Sequence, residues 1–200
     1  MWRGSDAAVR AVAITFDDGP SAQTRAILRA LRRHDAKATF FLIGRQIPDR
    51  ERVLRRAARE GHELGNHSTT HSALPGKADI ATTSNLITRT TGRPPCVFRP
   101  PGGKTSPPLL RDVRRLSMTT VAWDVDTGDW ASQLPAAIRD RALAGVRQGS
   151  IILMHDGGGD RAGTAHSVSA VIEGLRRRGY ELVTVSEMLR DASALGPPDR

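Results

Sequence analysis

Short apolar runs alternate with longer amphipathic segments along the whole chain, and this rhythm restricts the fold more than any other feature. Ala11–Phe16 reads as a buried strand, Thr24–His34 as a helix with apolar Ile27, Leu28 and Leu31, and Ala38–Ile43 as a second strand. A helix near Asp49–Glu60 follows, then a short strand His62–Asn66 and a weaker helix Ala78–Thr91 ended by Gly92 and two prolines. Cys96–Arg99 reads as a strand, and Pro107–Leu116 as a helix whose leading prolines suit a helix start. Thr119–Val125 is a strand, Pro135–Ala144 a helix closed by Gly145, and Ser150–Met154 a strand. His166–Arg178 is a helix closed by Gly179, and Glu181–Val185 a last strand.

Strand–helix alternation without a linker predicts one α/β domain with a mostly parallel sheet. Seven or so strands in 200 residues fall short of the ~250 residues of an eight-unit barrel. A smaller or incomplete barrel is therefore expected, with a doubly wound open sheet as the alternative. Neither GxGxxG after the first strand nor GxxxxGK[ST] occurs, so nucleotide binding has little support. The domain is expected over residues 11–190, with a short N-terminal segment 1–10 and a tail 191–200, of which Leu195–Arg200 looks frayed.

Composition excludes several other classes. One cysteine, Cys96, rules out an internal disulfide framework and a thiolate zinc cluster. In a strand, it reads as a small core residue. No apolar run is long enough to span a membrane. The net charge is +9, carried almost wholly by arginine. Much of it lies in Arg25–Arg33 and Arg45–Arg59, where it reads as the solvated faces of helices. Nucleic acid is not an expected partner, because aromatics are only 4% and no base-reading motif appears. The first residues make a poor signal peptide, since Arg10 breaks the only apolar stretch. Two settings stay open: extracellular or cell wall if a leader has been removed, cytoplasmic if the chain is native.

The acids and histidines are not scattered. Asp17 and Asp18 end the first strand, and His67 and His71 follow the third. Arg99 ends the fourth, Asp126 and Asp129 follow the fifth, and His155 ends the sixth. In a parallel barrel the carboxyl ends of the strands converge on one face, where active sites are built. His67 and His71 are four apart, close enough to reach one ion, and catalytic zinc often takes three protein ligands plus water. Asp17 or Asp18 can complete a two-histidine, one-carboxylate set. Two adjacent carboxylates after a buried strand repel each other; one can hold a metal while the other stays free as a base. Asp124–Asp129 resembles the start of a calcium loop, but the glutamate required at its twelfth position would be Pro135. His155–Asp160 is glycine-rich without the lysine of a phosphate cradle. His34, His62 and His166 read as structural or surface residues.

Five ordered motifs carry a family resemblance: Thr15–Pro20 (TFDDGP), His67–His71 (HSTTH), Arg99–Gly103 (RPPGG), Asp126–Trp130 (DTGDW) and Leu153–Asp156 (LMHD). With them the chain resembles the carbohydrate esterase family 4 polysaccharide deacetylases, the NodB homology domain. The resemblance implies a distorted (β/α)7 barrel, one divalent metal ion (zinc first, cobalt second) and hydrolysis of acetyl groups, most often from N-acetylglucosamine units. It casts Asp17 as general base, with Asp18, His67 and His71 as metal ligands and His155 as general acid. It has Arg99 orient Asp17 and an acid of the fourth motif hold His155, Asp129 ahead of Asp126. It has Trp130 and Leu153 wall the pocket for the acetyl methyl. One departure is Gly102, where the family usually has an aromatic. A backbone N–H remains for an oxyanion, but a ring that packs against sugar is lost. A glycan substrate and a monomer are expected. The alternatives are an O-deacetylase of the acetylxylan type, a tailoring deacetylase of a small acetylated metabolite, a sugar-binding protein with a dead site, and a non-haem iron oxygenase.

Overall fold

The computed structural model describes residues 10–194, with side chains through 190. Residues 1–9 and 195–200, the bulk of the expected terminal segments, lie outside the described residues. The strands are β1 (Ala11–Gly19), β2 (Thr39–Leu42), β3 (Glu63–Asn66), β4 (Val97–Phe98), β5 (Thr119–Thr120), β6 (Val125–Asp126), β7 (Ile151–His155) and β8 (Glu181–Leu182). The helices are α1 (Thr24–Arg33), α2 (Glu51–Arg59), α3 (Lys77–Thr91), α4 (Pro107–Arg115), α5 (Pro135–Ala144), α6 (Ala162–Arg177) and α7 (Val185–Ala194). Every strand pairing is parallel, in the order β5-β4-β3-β2-β1-β7-β6, and β8 joins the start of β1. This is the distorted (β/α)7 barrel that the resemblance implied.

The single strand expected at Thr119–Val125 is instead two short ones. Its beginning pairs with β4 and its end with β7. Between them Val121 N–H donates to Phe98 O, and Asp124 N–H donates to Ile151 O. The segment thus leaves one edge of the sheet and joins the other, which draws the curved sheet closed. Asp124 is absorbed in this crossing: its carboxylate accepts from Ser150 Oγ and from Ile151 N–H.

The core follows the apolar pattern. β1 is buried along its whole length, as a strand covered on both faces should be. Ile27, Leu28 and Leu31 of α1 are fully buried, while Arg25, Arg29, Arg32 and Arg33 are exposed, so these arginines are a solvated helix face. Phe16 and Phe40 stack across β1 and β2 with centroids 5.1 Å apart, and His62 meets Phe40 edge-on. Cys96 corrects the sequence reading: it lies just before β4 and is exposed. β4 spans only Val97 and Phe98, so Cys96 stands outside it.

Two helices depart from expectation. α6 begins at Ala162, four residues earlier than expected, and Asp160 Oδ1 accepts from Ala162 N–H at its start. α7 was not foreseen. It starts at a capping box in which Thr184 Oγ1 accepts from Glu187 N–H, and Glu187 Oε2 accepts from both Thr184 N–H and Thr184 Oγ1. Among the described residues no helix is long and apolar enough to cross a membrane.

Truncating the stacked ring at the centre should be costly. Phe40→Ala is expected to lower unfolding free energy by about 3–5 kcal/mol, read from the denaturant midpoint at unchanged slope.

Candidate active site

The site is built where β1 ends. The register of β1 against β2 shifts between Asp17 and Gly19, and Asp18 has φ of 71°. In a regular strand Asp17 and Asp18 would point to opposite faces. This irregularity lets both line one open cleft of about 300 Å³, together with His67, His71, Gly102, Trp123, Asp126, Trp130, Leu153 and His155. The site residues singled out from the sequence all belong to the cleft or to its immediate supports. Arg99 and Asp129 stand behind it.

Arg99 is fully buried. Its Nη1 donates to Asp17 Oδ1 at 2.8 Å and to Thr15 Oγ1 at 2.7 Å, and its Nη2 donates to Ala122 O at 3.1 Å. The guanidinium lies 4.1 Å from the Phe41 ring centroid and 5.5 Å from that of Trp123. Burial pulls its pKa down, and the charge of Asp17 opposes this. Asp17 is thus anchored by one oxygen and leaves Oδ2 facing His67, 3.8 Å from its Nε2.

Asp18, His67 and His71 form a second group, their ligand atoms all within 4.8 Å of one another. His67 Nδ1 lies 2.7 Å from Arg99 O. A carbonyl only accepts, so Nδ1 carries the hydrogen and Nε2 presents a lone pair. That lone pair points at Asp18 Oδ1, 3.5 Å away, and His71 Nε2 stands 3.1 Å from the same oxygen. Asp18 Oδ1 is buried and has no hydrogen-bond partner. Acceptors converging on one point call for a cation between them, and the set of one carboxylate and two imidazoles suits a divalent ion. Burial opposes ionisation of Asp18, but the two imidazoles outweigh it and hold the carboxyl well below the usual carboxylate range. The nearness of the Asp18 carboxylate, 3.1 Å away, in turn raises His71. The loop that carries the histidines is fixed locally: Asn66 Oδ1 accepts from Ser68 N–H, and Ser68 Oγ accepts from His71 N–H.

His155 is register partner to Asp17 on the neighbouring strand. Its Nδ1 lies 2.7 Å from Asp129 Oδ1, and its N–H donates to Asp129 Oδ2 at 2.8 Å. Thr164 Oγ1 donates to the same Oδ2. Burial works against charge on His155, but Asp129, then Asp17 and Asp18, outweigh it and raise its pKa above the ordinary value. Asp129 is buried yet held below the usual range by these donors. Of the two acids weighed for this role, Asp129 makes the contact. Asp126 is exposed and accepts from Gly128 N–H.

Trp130 is 61% exposed at the rim and Leu153 is buried beneath. Gly102 has φ of 61°, and a Cβ there would meet nothing within 4 Å, so the cleft is open on that side. His34 and His166 lie outside the cleft, and buried His62, lowered by burial to about 4, packs on Phe40. Sequence reasoning gave no role to Thr15, Trp123, Thr164 or Asp156. Thr15 and Asp156 lie inside the first and fifth motifs, and Trp123 lies within the expected strand Thr119–Val125. Nothing local marked Thr164. Asp156 lies directly behind β1, and burial pushes its carboxyl up to about 7.

The sequence pattern described as polysaccharide deacetylase matches residues 4–121. A peptidoglycan-N-acetylglucosamine deacetylase of Bacillus cereus is 34% identical over 187 residues, covering 90% of this chain and 88% of that protein. The peptidoglycan-N-acetylglucosamine deacetylase PgdA of Listeria monocytogenes is 33% identical over 192 residues, 92% of this chain but 40% of its own length. The chain therefore spans less than half of that longer relative. Among solved structures, a peptidoglycan N-acetylglucosamine deacetylase bound to 4-naphthalen-1-yl-N-oxidanyl-benzamide matches with TM-score 0.89 and 32% identity, over 93% of this chain and 91% of that one.

Removing one half of a buried ion pair strands the other. Arg99→Met leaves Asp17 without its cation, and chemical denaturation should register a loss of about 3–5 kcal/mol.

Proposed function

The chain belongs to the polysaccharide deacetylase family, carbohydrate esterase family 4, and from that membership we propose that it is a metal-dependent N-deacetylase of glycans that contain N-acetylglucosamine. Peptidoglycan, the substrate in the names of its relatives, comes first, and chitin-type oligosaccharide second. One observation carries the reading. Asp17, held by Arg99, and His155, held by Asp129, are register partners on β1 and β7 and flank one cleft. A base and an acid so arranged suit hydrolysis of an amide, whose nitrogen must be protonated to leave.

Asp18, His67 and His71 would hold the divalent ion, zinc before cobalt. When bound, the ion supplies Lewis-acid polarisation of the acetyl carbonyl and acidifies the attacking water. Asp17 takes the water's proton on Oδ2, because Oδ1 is engaged by Arg99. His155 donates from Nε2 to the leaving nitrogen, because Nδ1 is bound to Asp129. An oxyanion is stabilised by positioned N–H donors, which the family resemblance places in the third motif. Arg99 N–H is taken by Asn66 O and Gly103 N–H by Pro100 O, and the two prolines have none. Gly102 N–H is left for the role. Trp130 and Leu153 would wall the pocket that receives the acetyl methyl.

Metal-loaded protein should release acetate from peptidoglycan fragments or chitooligosaccharides, with activity lost to a chelator and restored by zinc or cobalt. Release from no N-acetyl sugar would sink the proposal. Asp17→Asn should lower kcat by about 10²–10⁴-fold. An ester leaves as an alkoxide and depends less on an acid, so a His155→Ala variant that keeps most activity would point to O-deacetylation.

The raised pKa of His155 sets a pH signature. A general acid works only while protonated, so activity should persist above the ordinary imidazole range and fall as pH rises through the raised value. Asp129→Asn removes the supporting charge. In a pH profile of kcat/KM its alkaline limb should move to lower pH.

A further inference from the structure

We propose that Asp156 is a positioning residue, whose buried carboxyl fixes the Asp17–Gly19 turn in the shape that aims Asp18 at the two histidines. This rests on the reading of Asp18 as a metal ligand.

The turn needs fixing. Asp18 lies in the left-handed region, at φ of 71°, where an L-residue carries strain and stays only if its surroundings over-determine it. On the β7 side Asp17 O accepts from Asp156 N–H at 3.0 Å and from Gly157 N–H at 3.3 Å. Those bonds belong to the main chain, and other residues at 156 would make them too. The side chain adds a separate brace. Its Oδ2 accepts from Thr24 Oγ1 at 2.5 Å, and Thr24 Oγ1 accepts from Ser21 N–H at 2.7 Å. Ser21 Oγ closes the loop by donating to Asp156 O. The carboxyl also lies so close to Gly19 that a Cβ there would stand 2.2 Å from Oδ2. It therefore fills the inner side of the turn from Gly19 to Thr24 and ties the end of β1 to the first residue of α1.

None of the proposed chemistry uses Asp156. It is fully buried, and its Oδ1 has no hydrogen-bond partner. An apolar side chain would spare the fold that unmatched atom. Folding alone does not call for a polar side chain here, whereas a rigid brace that accepts from Thr24 under the metal-ligand turn does.

The test compares wild type, Asp156→Ala and Asp156→Asn by zinc titration against a chromophoric chelator, and by kcat and KM on an acetylated sugar. Asp156→Ala should weaken zinc binding by about 10-fold or more and lower kcat alongside it, with KM moving by less than about threefold. Asp156→Asn keeps the shape and an acceptor for Thr24, and should return zinc affinity to within about threefold of wild type. Thr24→Val removes the hydroxyl and leaves Asp156 in place. It should weaken zinc in the same direction, and it keeps the idea testable if the alanine variant does not fold. Zinc affinity within about twofold of wild type in Thr24→Val and in a folded Asp156→Ala overturns the proposal, even where thermal stability drops. Zinc shifts as expected in a protein that deacetylates no N-acetyl sugar would uphold this role and defeat the substrate reading instead.

Discussion

A guanidinium with no solvent exposure sits at the centre of this barrel, and the cleft is arranged around it. Taking Arg99 out of water is expensive unless its charge and donors are met. The chain meets them from separate strands: Asp17 and Thr15 on β1, and Ala122 O in the crossing between β5 and β6. Phe41 on β2 supplies a ring face. The same residue works through its backbone, since Arg99 O binds His67 Nδ1. One side chain thus orients the proposed base, and its carbonyl sets the tautomer of a proposed ligand. A lysine offers a point charge in place of this fork and could not make the same set of contacts.

Around that anchor the cleft divides into two kinds of carboxylate. Asp17 is bound to the Arg99 guanidinium and Asp129 to the His155 imidazole, and their remaining atoms are directed by that partner. Asp18 faces two imidazoles, and its inner oxygen is unsatisfied. Neighbours in sequence, Asp17 and Asp18 differ because the backbone turns between them. The shift in register against β2 is therefore the local event that separates a proposed base from a proposed ligand. The wide side of the cleft, at Gly102, and the exposed ring of Trp130 leave room for a bulky glycan.

Much of this was legible before any coordinates. Strand positions followed from the apolar runs of β1, β2 and β7, since a strand buried on both faces is mostly apolar. The site residues were legible because a parallel barrel gathers strand ends on one face. Harder to read were features made by contact across the chain. The crossing from β5 to β6 depends on which edge each half meets. The exposure of Cys96 depends on β4 beginning only at Val97. The helix α7 did carry a local sign, the Thr184–Glu187 capping box, but a preceding apolar run masked it. Asp129 over Asp126 was a preference drawn from the family resemblance, and the folded chain shows which acid reaches His155.

The residue types and their order already limited the chemistry, because a carboxylate, an imidazole and a guanidinium each offer a restricted set of acid, base and ligand roles. They also specified the fold class, because strand and helix periods are properties of local sequence. Partnership was decided by the folded chain. Which oxygen of Asp17 is engaged, which nitrogen of His67 carries a hydrogen, and that Asp156 lies behind the Asp17–Gly19 turn are facts of position between residues far apart in sequence. Such facts arise only when the barrel closes, since hydrogen bonds and ion pairs depend on distances of a few ångströms that local pattern does not encode.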